Sequence, residues 1–446
     1  MPVRWVRPEP SIIRGFFKNS VARTRQSRRF SRGWLPRPLS LRRCTGELHP
    51  RENPVLSSLA GRFPPAILAL SDGSVFVGQS IGSPGLSVGT LRFNTAMTGY
   101  QEVMTDAASH GQIISFSCPH IGNCGVNPED RQSARIQAAG VVLRDLPLRH
   151  SNFRASQSLS DWLQAEGAVG VAGVDTRQIT RLLRDGGPQQ AAILALDSQT
   201  EASAADIERA RAAAAGATSA STDACTVLDA VAGQQATPWD QGGWTLAGDA
   251  SPAPAGPKIL AWDLGGRYSD WQLLVERGCR LELLPLSVSL SQALERQPDG
   301  LVLAGGPDAA ATCDPAQALA RELLASGRPV LGLGLGHLLL AAAAGAQCSS
   351  LPVGHHGANH PVRDLASGRV NITAQASELT VEADSLPAEV QVSHSSLFDG
   401  SVKGLQWTER PVLGFAGWAA AVGGPHESGQ VVDRFLGLVA QARQGG

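Results

Sequence analysis

From residue 66 to about residue 190, apolar residues come in short runs broken by Gly, Pro and Asn. The stretch "AILALSDGSVFVGQSIG" (66–82) sets two β-like runs around the turn signal Ser71-Asp72-Gly73. "VDTRQITRLLRDGG" (174–187) switches to a helical period, entered through Asp175-Thr176 and stopped by Gly186-Gly187. Residues 200–225 are rich in alanine with scattered charge, the pattern of exposed helix and loop. "GDASPAPAGP" (248–257) has no periodicity and reads as a linker.

Beyond it a strand–helix rhythm sets in. "KILAWDLGG", "RLELLPL" and "GLVLAGGP" read as strands with their turns, and "YSDWQLLVERG" and "PAQALARELLASG" read as helices. Alternation of this kind predicts a parallel sheet covered by helices, with ligands at the carboxyl ends of the strands. "RPVLGLGLGHLLLAAAAGA" (328–346) continues it as a strand, a turn with glycines at 332, 334 and 336, and an apolar helix. A sharp strand-to-helix turn often presents a nucleophile at the mouth of such a sheet. Here the point of the turn is Gly334, which carries none. A phosphate loop does not fit either, because position 337 is His and no Lys-Ser or Lys-Thr pair follows. "VDRFLGLVAQAR" predicts a closing helix.

At 446 residues the chain has length for two or three domains. A hydrophobic fraction of 43% and a charged fraction of 17% describe an ordinary globular protein, and the net charge of −1 points to neither nucleic acid nor membrane. The elbow run is long enough to reach across a bilayer, but Pro329, its glycines and His337 favour a buried strand and helix. Residues 1–51 differ from the rest, holding thirteen Arg or Lys against Glu9 and Glu47. A solvated tail, an organelle transit peptide and a nucleic-acid-binding arm all suit that segment. Seven scattered cysteines in a chain of this length predict reduced thiols and a cytoplasmic protein. "CPHIGNC" lacks a second ligand pair for zinc, so no metal is expected. Arg177, Arg181 and Arg184 fall on one helix face, a solvated or partner-facing stripe.

Five further stretches occur in order: "FNTAMTGYQEVMTD" (93–106), "PHIGN" (119–123), "VDTRQITRLLR" (174–184), "GHHGANHPV" (354–362) and "SHSSLFDG" (393–400). Together with the elbow they closely resemble the small subunit of carbamoyl-phosphate synthetase, over residues 66 to 446. The resemblance implies a mixed α/β small-subunit domain over 66–235, a linker over 236–257, and a class I glutamine amidotransferase domain of mostly parallel sheet over 258–446. Residues 1–60 stay outside it as an extension. His355, His356 and His360 belong to a motif that holds no metal in this family, so they read as structural or interface residues.

Members of this family hydrolyse glutamine with a Cys-His-Glu triad. The ammonia passes to a large subunit, which uses ATP and bicarbonate to make carbamoyl phosphate for arginine and pyrimidine synthesis. No cofactor is implied for the small subunit itself. The triad positions correspond to Gly334, Trp418 and Ala420, so neither thiol, imidazole nor carboxylate is present. Among family contacts to glutamine, Gly306 and Leu335 are kept. Ala108 stands for a serine and Leu338 for a glutamine. Asp308 replaces the last glycine of an Asn-Gly-Pro-Gly turn, and Ala376, Ser377, Glu378 and Leu379 replace Asn-His-Gly-Phe.

Amide hydrolysis through a covalent intermediate needs a nucleophile, a base in reach and a group that orients the base. The sequence therefore predicts a chain that has lost glutaminase activity, with glutamine binding in doubt. It would serve as a structural or regulatory subunit beside a large subunit fed by free ammonia. Glycine at the elbow relaxes strained backbone, and Trp418 is expected to fill the vacated pocket. Two alternatives stay open: an active enzyme with a relocated nucleophile among Cys313, Cys348, Ser377 and His337, or a stand-alone interaction protein.

Overall fold

The structure, a computed structural model, describes residues 63–197, 201–217, 223–246, 255–420 and 427–445. The basic extension and most of the Pro-Ala linker lie outside these residues. The chain first forms β1 (Pro65–Leu70), β2 (Val75–Ser80), β3 (Gly85–Asn94), α1 (Tyr100–Thr105), β4 (Gln112–Phe116), β5 (Gly140–Val142), α2 (Leu159–Ala165), β6 (Val169–Ala172), α3 (Thr176–Gly186) and β7 (Gln189–Ala195). The seven strands close into a barrel in the order β1-β2-β6-β5-β4-β3-β7. The Asp72-Gly73 turn joins β1 to β2 in antiparallel register, Leu68 opposite Phe76. Helix α3 starts as its sequence dictates, with the Asp175 carboxylate accepting the Gln178 amide at 3.0 Å. Its Ile179 and Leu183 are buried, while Arg177, Arg181 and Arg184 face outward.

Two helices, α4 (Ala204–Gly216) and α5 (Ala224–Val231), lead to the second part. It comprises β8 (Thr237–Trp239), β9 (Lys258–Asp263), α6 (Tyr268–Glu276), β10 (Arg280–Leu284), α7 (Leu290–Leu294), β11 (Gly300–Gly305), α8 (Asp314–Ala325), β12 (Val330–Gly334) and α9 (Leu335–Ala343). The chain then runs through β13 (Cys348–Asp364), β14 (Val370–Val381), β15 (Val390–Ser396), β16 (Val402–Trp407), β17 (Val412–Phe415) and α10 (Gln430–Gly445). Ten strands form one sheet in the order β14-β13-β15-β16-β17-β12-β11-β9-β10-β8. The central β10-β9-β11-β12-β17 block is parallel, and the strands flanking it pair antiparallel. Alternate residues feed opposite faces. Leu301 and Leu303 of β11 pack with α8 and α9, and Val302 and Ala304 pack on the α6 and α10 side.

Two expectations need correction. The span read as a linker contains an ordered piece, since β8 pairs with β10, Trp239 opposite Leu281. Cys225 and Cys313 are disulfide-bonded rather than free, 88 residues apart in sequence. Loop closure brings α5 against the start of α8, a proximity that cysteine spacing does not reveal. Cys118, Cys124, Cys279 and Cys348 remain thiols. Among the described residues no helix is long and apolar enough to cross a membrane.

Candidate active site

The three glycines of the elbow do different work. A Cβ on Gly336 would lie 1.8 Å from the Leu303 carbonyl oxygen, and one on Gly332 would lie 2.7 Å from the Gly336 oxygen. Both are needed so that α9 can start hard against β11 and β12. Gly334 is different. It stands at φ 57° and ψ −117° between β12 and α9, in backbone that side chains adopt only under strain. Yet a Cβ there has room, its nearest heavy atom being the Gly305 oxygen at 3.6 Å. The elbow geometry thus persists without the atom that it would present.

What faces that empty position is Arg267, the residue that opens α6. Both of its terminal nitrogens lie 3.9 Å from the place of the missing Cβ. Its Nε donates to Asp106 at 3.0 Å, and one terminal nitrogen lies 3.5 Å from Asp270. The guanidinium sits 4.8 Å from the Trp418 ring, at stacking distance. All four side chains are buried; Asp270 is 0% and Arg267 3% exposed. Burial pushes the Asp270 carboxyl up to about 6 against the pull of Arg267. Asp106 belongs to the barrel part and Arg267 to the sheet part, so the Arg267–Asp106–Asp270 triad of charges crosses between them beside Gly334. Trp418 packs on Ala374 and Ala358, its backbone amide donating to the Ala374 oxygen at 3.0 Å. Ala420 accepts from Ser269 at 3.1 Å through its carbonyl.

The residues that the resemblance sets around a glutamine pocket prove to be joined. Asp308 accepts the amides of Glu378 at 2.7 Å and Leu379 at 2.9 Å with one carboxylate oxygen. Glu378 pairs with Arg92 and accepts from Gln112 at 2.9 Å, both from the barrel part. Ala108 and Ala376 line a narrow cleft that Trp418 closes on one side. Leu335 and Leu338 are buried in the core beneath the elbow. Gly306 donates its amide to the Gly265 oxygen at 3.2 Å, which occupies the donor on that side of the elbow.

None of the proposed substitute nucleophiles stands ready. Cys313 is bonded to Cys225. Burial, helped by Asp308 and Glu382, pushes the Cys348 thiol up to about 11. His337, expected to be hydrogen-bonded, has its imidazole wedged against the Gly414 backbone without a hydrogen bond of good geometry. Burial pushes it down to about 3, so it is neutral. Ser377 is buried on β14, opposite His355. His355 in turn lies 3.1 Å from Asp399, and its ring is 5.1 Å from that of His360. Among the described residues no group of three or more His, Cys, Asp or Glu has the arrangement of a metal site.

The sequence reading missed Arg267, Asp270 and Lys403. Lys403 on β16 is 1% exposed, and its ammonium has no hydrogen-bond partner among the described residues. Burial lowers it to about 8, with Asp399 and Asp308 holding it up. A base depressed in the folded state costs stability below that value, and the cost fades as pH rises towards its unfolded pKa. Lys403→Met should therefore stabilise the fold at pH 7 by roughly 2–3 kcal/mol. Thermal melts at pH 7 and pH 10 check this, the gain shrinking at the higher pH.

A closed barrel followed by an α/β sheet with a strand–glycine–helix elbow is the form of a class I glutamine amidotransferase domain carrying an N-terminal partner domain. Two family descriptions match accordingly: "Carbamoyl-phosphate synthase small chain, CPSase domain" over residues 68–193, and "Glutamine amidotransferase class-I" over residues 263–415. The carbamoyl phosphate synthase small chain of Rubrivivax gelatinosus is 44% identical over 380 residues, covering 85% of this chain and 98% of that one. That of Polynucleobacter asymbioticus is 43% identical over 399 residues, covering 88% and 100%. That of Pseudomonas aeruginosa is 43% identical over 383 residues, covering 85% and 99%. The chain belongs to the carbamoyl-phosphate synthase small chain family.

Proposed function

We propose that this chain acts as the small subunit of a carbamoyl-phosphate synthetase without hydrolysing glutamine, its large-subunit partner drawing on free ammonia, ATP and bicarbonate. The observation that carries this reading is Gly334 at the point of the elbow, which carries no side chain and is faced by the guanidinium of Arg267, a group that accepts no proton. Trp418 and Ala420 supply neither proton acceptor nor orienter. Asp308 supports it further, having taken the backbone amides of residues 378 and 379. The family's fold survives while its chemistry does not, which fits a scaffold held for docking.

The test is to co-purify the chain with its large subunit. The complex is expected to make carbamoyl phosphate from ammonium chloride and none from glutamine. Glutamine-dependent synthesis above that of a large subunit alone refutes the reading.

A further inference from the structure

The Cys225–Cys313 bond sits where α5, the sheet part and the barrel part meet. Cys225 is the second residue of α5, an eight-residue helix in which only Leu228 is buried. A helix this short does not hold itself, so contacts from outside must keep α5 in place. Leu228 belongs to the same core cluster as Ala310 and Cys313. The Ala230 carbonyl accepts from Arg135 of the barrel part at 2.8 Å, and Gly233, just beyond the helix, donates to the Asp263 oxygen at 3.0 Å. The disulfide is the covalent tie among these contacts.

At its other end, Cys313 is 1% exposed and ends the short helical turn Asp308–Thr312. Its amide donates to the oxygen of the wholly buried Ala310 at 3.0 Å. Asp308, at the head of that turn, accepts the β14 amides of Glu378 and Leu379. Glu378 in turn meets Arg92 and Gln112 of the barrel part. The bond therefore fixes α5 against the turn whose first residue pins β14.

Two observations mark this bond as one that opens. A chain of 446 residues buries core enough to fold without a staple, and Cys118, Cys124, Cys279 and Cys348 are thiols beside it. A single bond among free thiols is the pattern of a redox-sensing pair rather than of a stapled scaffold. The two ends also differ in access, Cys225 being half-buried and Cys313 sealed. Attack from solvent is thereby directed to Cys225.

We propose that the Cys225–Cys313 disulfide is a redox latch on the patch formed by Asp308 and β14, opened by a dithiol reductant. The reductant's thiolate attacks the Cys225 sulfur, the S–S bond breaks, and Cys313 leaves as a thiolate that takes the proton the reductant gave up. The reductant's second thiol then displaces Cys225 and passes its proton to it, so the reductant ends as a disulfide and the pair as two thiols. Without its tether α5 leaves the turn, and Asp308 releases the amides of residues 378 and 379 more often. Cys348, in contact with the same core cluster, does not take over the bond, because burial holds its thiol up at about 11. The latch does not depend on whether glutamine is hydrolysed.

Dithiothreitol is the probe, added to the full chain, with alkylation mapping and hydrogen exchange read by mass spectrometry. Without it the peptides of Cys225 and Cys313 are expected as one linked pair, and with it as two alkylated peptides. Reduction should speed exchange at Glu378, Leu379 and α5 at least about tenfold and leave β12 and α9 unchanged. Cys225→Ser should exchange fast without reductant and gain nothing from it, while Cys348→Ser should keep the wild-type response. Separate alkylation of Cys225 and Cys313 before reduction would overturn the latch. So would unchanged exchange at residues 378 and 379 after reduction, which would leave the bond as a local tie of α5. Faster exchange throughout, β12 and α9 included, would overturn it as well, by making the bond a staple of the whole fold.

Discussion

Arg267→Ala should be the most damaging single change in the described fold, lowering stability by about 3–5 kcal/mol. The guanidinium is the only cation paired with Asp106 and Asp270 among the described residues, and both acids are almost wholly buried. Removing it leaves two carboxylates in a low-dielectric space with like charge on each other. It also removes the stacking partner of Trp418. The sign of the pH dependence follows from Asp270. An acid whose folded pKa lies above its unfolded value favours folding while protonated and loses that contribution as pH rises through the folded value. In the wild type that value is already about 6, and without the guanidinium it climbs further. The deficit of Arg267→Ala is therefore expected to be small at pH 5 and to widen by pH 8. Urea midpoints at the two pH values measure it. A deficit that does not change with pH would show that packing, not the buried acids, sets the cost. Arg267→Lys should recover little, since one ammonium cannot span two carboxylates as a fork does.

This triad marks the boundary of what the sequence makes legible. The strand–helix rhythm from residue 258, the elbow and the Asp175 cap of α3 follow from local periodicity and turn chemistry, and they appear in the structure within a residue or two of the quoted runs. The glycine at the point of the elbow was equally plain, because one position decides it. Arg267 and Asp270 gave no such signal. Charged residues at the start of a helix are normally solvated, and the partner Asp106 lies 161 residues away. Asp308 and Glu378 were visible only as two separate losses. The fold joins them in one hydrogen-bonded patch, because the end of β11 and strand β14 meet there. The long β13–β14 hairpin, with its irregular register between Ser350 and His360, carries motifs whose polar residues hide the strand period. Lys403 breaks the same rule, being a lysine inside a strand whose both faces are buried.

Restoring the triad by Gly334→Cys, Trp418→His and Ala420→Glu together should still give no turnover of glutamine. The cysteine itself fits, since its Cβ meets nothing closer than 3.6 Å, at a backbone cost of roughly 1–3 kcal/mol for a side chain at this φ. Arg267 beside it lowers the thiol's pKa, so Gly334→Cys alone should react with iodoacetamide much faster than Cys279 or Cys348, both held at about 11. A reactive thiol is nevertheless not a glutaminase. The new glutamate would enter close to the buried Asp270, and like charge there turns it away from the histidine. The acids at the expected glutamine contacts also stay in place, with Asp308 on the β14 amides and Glu378 on Arg92. Clearing them needs Asp308→Gly and Glu378→Gly in addition, and only that five-fold variant is expected to bind glutamine. Labelling rates and ammonia release from glutamine separate these steps. Measurable hydrolysis by the triple variant would mean that the acids at 308 and 378 do not block the pocket, and that the lost triad alone had silenced it.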